Sequence, residues 1–241
     1  VTTESGGGRV CIALDFATRA EVIAAARRFA GRVGWMKVGL EAFVAEGPSL
    51  VADVAACALG AKVFLDLKFH DIPATVAGAV TSAARSGASM VNVHAAGGRA
   101  MLEAAREAAR RGGLERLIAV TLLTSIDTRA LADLPMAGHP EGIARRLALL
   151  AKECGLDGVV CSATDLAAIR GACGPEFFTV VPGIRPAGTD AQDQKRVATP
   201  ASAIAAGADL LVIGRPVTAA PDPDAALSAI LHETATAASR T

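Results

Sequence analysis

The sequence predicts an α/β protein folded as a single-domain (β/α)8 TIM barrel, and three observations carry that reading. Short apolar runs alternate with segments of helical period from end to end, which implies parallel strands joined by crossovers. Eight such apolar runs are present. Eight βα units in 241 residues match the usual size of this barrel, about 250 residues. A doubly wound open sheet is the alternative, because periodicity alone does not close a barrel.

The first apolar run, residues 10–14, stops at Asp15 and leads into an Ala-rich helical segment, 19–29. The second, 35–39, contains Met36-Lys37-Val38, and the third, 62–67, leads through Lys68 to a helix at 75–84. The fourth, 89–94, precedes a helix at 99–110; the fifth, 117–122, precedes one at 142–153. Runs at 158–161, 178–181 and 210–213 complete the set, with a helix at 200–206 before the last. Two connections are too long to be turns: 124–140, and 183–199, which is rich in Gly, Pro and Asp. Loops of that length in compact domains are usually functional. Both follow strand C-terminal ends, the active face of such a barrel.

Residues 1–9 are small and polar, lack the apolar stretch of a signal peptide, and read as a flexible tail before a catalytic domain at 10–241. Hydrophobic residues at 52% and charged residues at 20% describe a globular chain. Lys plus Arg and Asp plus Glu each number 24, which argues against a nucleic-acid binder. No uncharged apolar run reaches the roughly 18 residues of a membrane span. The five cysteines (11, 57, 154, 161 and 173) are odd in number and lack CxxC spacing. Neither a disulfide framework nor a zinc site is expected, and a reducing cytoplasm fits. Among the basic residues 19 are Arg and only 5 are Lys. A Lys retained at a site therefore hints at a transferable proton, since Arg stays charged.

The strand ends concentrate charge. In the third strand Asp66 and Lys68 alternate with Leu65 and Leu67, so the charged pair shares the face toward the barrel mouth and the leucines face the helices. Asp15 and Asp71 lie at or just beyond the ends of the first and third strands, and Lys37 lies within the second. Converging, partly buried ions rarely stabilise a fold and are better explained as a site. A salt-bridge cluster closing the barrel is one alternative. A metal held by Asp15, Asp66 and Asp71 is another, disfavoured by the interleaved lysines. Across the mouth, Val181-Pro182-Gly183-Ile184-Arg185 and Val212-Ile213-Gly214-Arg215-Pro216 follow strands seven and eight. Barrels often bind phosphate there, and Arg offers a planar fork for its oxygens. Asn92 and His94 share the inward face of strand four, and for the histidine a hydrogen-bonded, structural role is expected over that of a catalytic base. Thr124 opens the long fifth connection and reads either as a cap or as a polar contact to a ring.

These residues resemble the orotidine 5'-phosphate decarboxylase family. The resemblance rests on Asp66-Leu67-Lys68-Phe69-His70-Asp71-Ile72-Pro73, on Asp15 and Lys37 upstream, and on residues 181–185, Asp193-Gln194 and 213–216. It spans residues 10–223. The Asp-x-Lys-x-x-Asp core is shared with related hexulose-phosphate synthases and ketogulonate-phosphate decarboxylases; Lys37, the His-Asp-Ile-Pro extension and the late glutamine make it specific. Bacterial members commonly carry Asn where this chain has Ala74; Thr75 is retained.

The resemblance implies metal-free, cofactor-independent conversion of orotidine 5'-monophosphate to uridine 5'-monophosphate and carbon dioxide, in pyrimidine nucleotide synthesis. It implies that Lys68 protonates carbon six and that Asp66 sits beside the leaving carboxylate. Asp15 and Lys37 would hold the ribose hydroxyls, and Thr124 the pyrimidine. Pro182, Arg185, Gln194, Gly214 and Arg215 would hold the phosphate and its closing loop. Asp71, Ile72 and Thr75 would serve a partner subunit's site, which implies a homodimer with shared sites. A magnesium-dependent sugar-phosphate lyase of the same superfamily and a silent nucleotide-binding barrel are the rival readings.

Overall fold

The computed structural model describes residues 6–186 and 198–239. Its strands are β1 (Val10–Ala13), β2 (Trp35–Gly39), β3 (Lys62–Phe69), β4 (Met90–His94), β5 (Arg116–Val120), β6 (Gly158–Val160), β7 (Phe178–Val181) and β8 (Leu210–Ile213). They pair in chain order, all parallel, and β8 returns to β1, so the sheet closes. The open-sheet alternative is thereby excluded.

Around the barrel run α1 (Arg19–Phe29), α2 (Leu40–Glu46), α3 (Ser49–Cys57), α4 (Pro73–Arg85), α5 (Gly98–Arg111), α6 (Thr128–Leu131), α7 (Pro140–Glu153), α8 (Leu166–Cys173), α9 (Pro200–Ala205), α10 (Arg215–Thr218) and α11 (Pro223–Ala238). Local chemistry fixes several starts. Thr18 and Glu21 form a reciprocal capping box at α1, and Pro73 and Pro140 occupy the first turns of α4 and α7, where a missing N–H costs nothing. Sequence periodicity overlooked the α2–α3 pair because Gly47 and Pro48 break one crossover into two short helices. The fifth strand stops at Val120, two residues before the expected end, and the third runs on to Phe69.

The flexible tail expected through Arg9 does not extend over residues 6–9. Gly6 is buried and Gly7–Arg9 form a 3-10 turn. A Cβ on Gly6 would lie 2.6 Å from the Leu231 carbonyl of α11, and its φ of 70° is one that glycine adopts freely. Arg9 donates to the Ala208 carbonyl ahead of β8.

Alternation sorts the strand residues into two layers. Val10, Ile12, Met36, Val38, Leu65, Val91 and Val93 pack outward against the helices. Cys11, Ala13, Trp35, Phe64, Met90, Ile118, Val180, Leu210 and Val212 fill the barrel interior. At the N-terminal end, cations stack on rings: Lys62 Nζ lies 5.5 Å from the Trp35 ring centre, and the Arg116 guanidinium 4.1 Å from that of Phe178. Outside this plug, Asp209 Oδ2 accepts from Thr179 N at 2.7 Å and from Arg170 at 2.6 Å. Arg170 also donates to the carbonyls of Pro175, Phe177 and Gly207. One guanidinium thus ties α8 to the start of β7 and β8.

Removing that cation would leave Asp209 and several carbonyls poorly satisfied. The expected outcome for Arg170→Ala is a loss of about 2–3 kcal/mol in unfolding free energy. Its kcat should be unchanged, because every Arg170 contact lies at the end of the barrel opposite the mouth. Urea denaturation read by circular dichroism, beside steady-state kinetics, checks both halves.

Candidate active site

The C-terminal mouth of the barrel holds a chain of alternating charges. Its members lie in β2 and β3 or just past β1, and the pleat sets the inward direction of Lys37 and Asp66. Lys37 is the inward residue of β2 between Trp35 and Gly39. Its Nζ lies 2.8 Å from Asp15 Oδ1, just past β1, and 3.5 Å from Asp66 Oδ2 on β3. Lys68 Nζ lies 2.7 Å from Asp66 Oδ1. The order is Asp15, Lys37, Asp66, Lys68. Gly39 makes room for it, since a Cβ there would stand 2.7 Å from Asp15 Oδ1 and 2.8 Å from Lys37 Nζ.

Electrostatics follow from burial and pairing. Burial alone would depress the Lys37 ammonium, but Asp66 and Asp15 outweigh it and hold its pKa above the ordinary lysine value. Burial would likewise raise the Asp66 carboxyl, but Lys37, Lys68 and hydrogen bonds from Lys68 and Asn92 hold its pKa below the usual carboxylate range. Both groups therefore stay ionised at neutral pH.

Lys68 has a left-handed backbone, φ 52°, which costs a residue with a Cβ about 1–2 kcal/mol. It falls where β3 leaves regular register with β4: Leu65 pairs with Val91, and the next pair is Phe69 with Val93. The simple alternation that aligned Asp66 with Lys68 in the sequence thus breaks at Lys68, yet its ammonium still returns to Asp66. The expectation that Leu65 and Leu67 face the helices holds.

A cavity of about 530 Å³ opens above these charges, within the size range of ligand sites. It is lined by Asp15, Lys37, Asp66 and Lys68 on one side and by Thr124, Pro182, Gly183, Arg185, Gly214 and Arg215 on the other. Glu41, Cys161 and Thr218 also line it. Sequence reading passed over these three, although Cys161 directly follows β6 and Glu41 lies two residues beyond β2. Among the described residues no three His, Cys, Asp or Glu side chains are gathered in a way that could hold a metal ion.

Comparison with known proteins gives this constellation a lineage. Residues 8–230 match the model of the "Orotidine 5'-phosphate decarboxylase / HUMPS family". The chain belongs to that family. A curated orotidine 5'-phosphate decarboxylase from Anaeromyxobacter sp. (strain K) is 55% identical over 222 residues, covering 92% of this chain and 96% of that protein. The crystal structure of an uncharacterized conserved protein from Geobacillus kaustophilus superposes with a TM-score of 0.80 at 43% identity, covering 93% of this chain and 99% of that one. The structure of orotidine 5'-phosphate decarboxylase from Lactobacillus acidophilus gives 0.80 at 34% identity, covering 93% and 98%.

The residues singled out from the family pattern fall into three groups. Asp15, Lys37, Asp66, Lys68, Thr124, Pro182, Arg185, Gly214 and Arg215 share the cavity. Asp71, Ile72 and Thr75 do not line it: they lie exposed in the β3–α4 turn and the first turn of α4. Asp71 Oδ1 accepts there from Ile72 N at 2.6 Å. Gln194 and its neighbour Asp193 lie outside the described residues. The connection that contains them is pinned at its roots, where Arg185 N donates to the Ala198 carbonyl at 2.9 Å. The other long connection folds over Leu122, Leu131 and Ile143 as a small apolar cluster.

Behind the cavity, the His70 and His94 rings pack at 5.4 Å between centres. Burial, then the neighbouring His70 and Lys68, hold the His94 pKa below its ordinary 6.5. The unfolded chain therefore binds the proton more readily, and stability contributed by neutral His94 is present above pH 6.5 and declines as pH falls below it. The expected outcome is a Tm that drops between pH 7 and pH 5 more steeply in the native protein than in His94→Gln; thermal melts across that window, which lies within the range where histidine titrates, measure it.

Proposed function

We propose that this mouth decarboxylates orotidine 5'-monophosphate to uridine 5'-monophosphate, in pyrimidine nucleotide synthesis, with Lys68 as the proton donor. The observation that carries the reading is the Lys68 ammonium held 2.7 Å from a buried carboxylate at the floor of a nucleotide-sized cavity. When the bond from carbon six to the carboxylate breaks, its electron pair stays on carbon six in the plane of the ring. Conjugation does not take up that pair, so the barrier must fall by electrostatics. Enzymes lower barriers by about 8–23 kcal/mol, and this reaction needs the upper part of that range. A fixed ammonium beside the developing carbanion stabilises it without solvent reorganisation. The pair then takes a proton from Lys68 Nζ, leaving a neutral amine that solvent recharges. Arg could stabilise the charge but could not give up a proton.

Asp66 fixes Lys68 and would sit beside the substrate carboxylate; Lys37 keeps Asp66 and Asp15 neutralised. Asp15 and Lys37 would hold the ribose hydroxyls and Thr124 the ring. Arg215 and Arg185, from the far rim, suit the phosphate. Binding energy from that remote group can be used at the reacting carbon.

We also propose a cytoplasmic homodimer. No disulfide joins the five cysteines, and among the described residues no helix is long and apolar enough to cross a membrane. Large apolar side chains lie exposed just beyond strand C-terminal ends: Leu40 and Val44 after β2, Ile72 after β3 and Leu123 after β5. Asp71, Ile72 and Thr75 lie outside their own subunit's cavity, which suits residues that serve a partner's.

The first test is loss of the orotate absorbance band when orotidine 5'-monophosphate meets the purified protein, with and without chelator. Loss at equal rates is expected. For Lys68→Ala, turnover should fall by more than about 10⁴-fold, with uridine 5'-monophosphate binding still measurable by calorimetry; retained turnover would remove Lys68 from the donor role. Subunit sharing has its own test. Asp71→Ala and Lys68→Ala proteins, each inactive, should regain activity on mixing, because a hybrid dimer holds one intact site. Absence of recovery despite demonstrated subunit exchange would refute sharing.

A further inference from the structure

We propose that Asn92 is a positioning residue of this site: its side-chain amide holds the left-handed backbone of Lys68 and thereby sets the ammonium on Asp66. The inference rests on the decarboxylase reading and extends it to a residue outside the charge chain. Between the pairs Leu65–Val91 and Phe69–Val93, β3 places three residues where β4 places only Asn92. The ladder cannot satisfy the surplus backbone there. Asn92 Oδ1 accepts from Lys68 N at 2.8 Å, and Asn92 Nδ2 donates to Asp66 Oδ1 at 2.7 Å. That same oxygen accepts from Lys68 Nζ at 2.7 Å.

One planar amide therefore grips both ends of the lysine, its backbone directly and its ammonium through Asp66. The orientation of the amide is fixed by its partners: a backbone N–H can only donate and a carboxylate can only accept. Asn92 is fully buried, so water does not compete for either bond. The side-chain requirement is narrow. Asp supplies the acceptor without the donor, Leu supplies neither, and Gln is one methylene too long for a buried fit.

The experiment compares the intact native protein with Asn92→Ala and Asn92→Asp, measuring kcat on orotidine 5'-monophosphate, Kd for uridine 5'-monophosphate and thermal unfolding. A misplaced reacting group costs on the order of 100-fold in rate. Asn92→Ala should show that loss in kcat, with Kd changed by less than about threefold. Asn92→Asp keeps the acceptor for the Lys68 amide but sets a second carboxylate against Asp66. Its kcat should recover relative to the native protein as pH falls, when a proton shared between the two carboxyls restores the donor. Other charged groups facing this position are Lys68 on β3, Lys37 on β2 at the second Asp66 oxygen, and His94 farther along β4 with His70 against it.

An Asn92→Ala kcat within about threefold of native, or an equal loss in kcat and in product affinity, would overturn the assignment. If Asn92→Ala does not fold, Asn92→Asp decides: a pH profile parallel to the native one overturns it. A native protein inactive on the nucleotide would bring down the decarboxylase reading and this inference together. An active native protein with an unimpaired Asn92→Ala would bring down this inference alone.

Discussion

A carboxylate buried in a barrel loses hydration worth several kcal/mol unless cations and donors replace its water. Asp66 is the group on which this barrel meets that constraint. One of its oxygens carries the Lys68 ammonium and the Asn92 amide, and the other faces Lys37. Lys37 is in turn neutralised by Asp15. The four charges sum to zero, so the cluster is tolerable as a unit, whereas loss of any one member leaves a partly buried ion unmatched. Much of the surrounding structure serves this arrangement. The parallel register sets Lys37 opposite Phe64 and Gly39 opposite Asp66, so the long lysine side chain reaches up past the bare glycine to Asp66. The bare Gly39 leaves space for the Asp15–Lys37 contact, and the irregular turn in β3 brings the lysine back over its own strand.

The legible parts of the fold were those that follow from periodicity. The runs at 35–39, 178–181 and 210–213 are strands with those limits, because each is a short, largely apolar run bounded by turn residues. Closure of the sheet came from the count of βα units and agrees with the observed order. Boundaries failed where local chemistry intervened: Gly47-Pro48 splits a crossover, and α6 forms inside a connection read as loop.

The site was legible to the extent that its members are charged residues in or just after the first three strands, which is true of Asp15, Lys37, Asp66 and Lys68. Asn92 was noticed only as an inward polar residue. A buried Asn gives no periodic signal, and its importance comes from two hydrogen bonds across a register shift that the sequence does not display. The left-handed Lys68 is equally hidden, because nothing in the residue type announces it. Asp71 shows the opposite limit. Its spacing from Lys68 suggested company with the other charges, but the turn after β3 carries it outside the cavity that they line.

The two ends of the barrel divide their labour. Cation-on-ring stacking and the Arg170 ties lie at the N-terminal end, and the chemistry lies at the other. A five-residue strand between them spans about 16 Å, beyond the roughly 7–10 Å over which substitutions usually interact energetically. Changes at the two ends should then combine additively. Stability could be raised from below, by selection or by an engineer, and held in reserve against the destabilising substitutions that a new specificity at the mouth would bring.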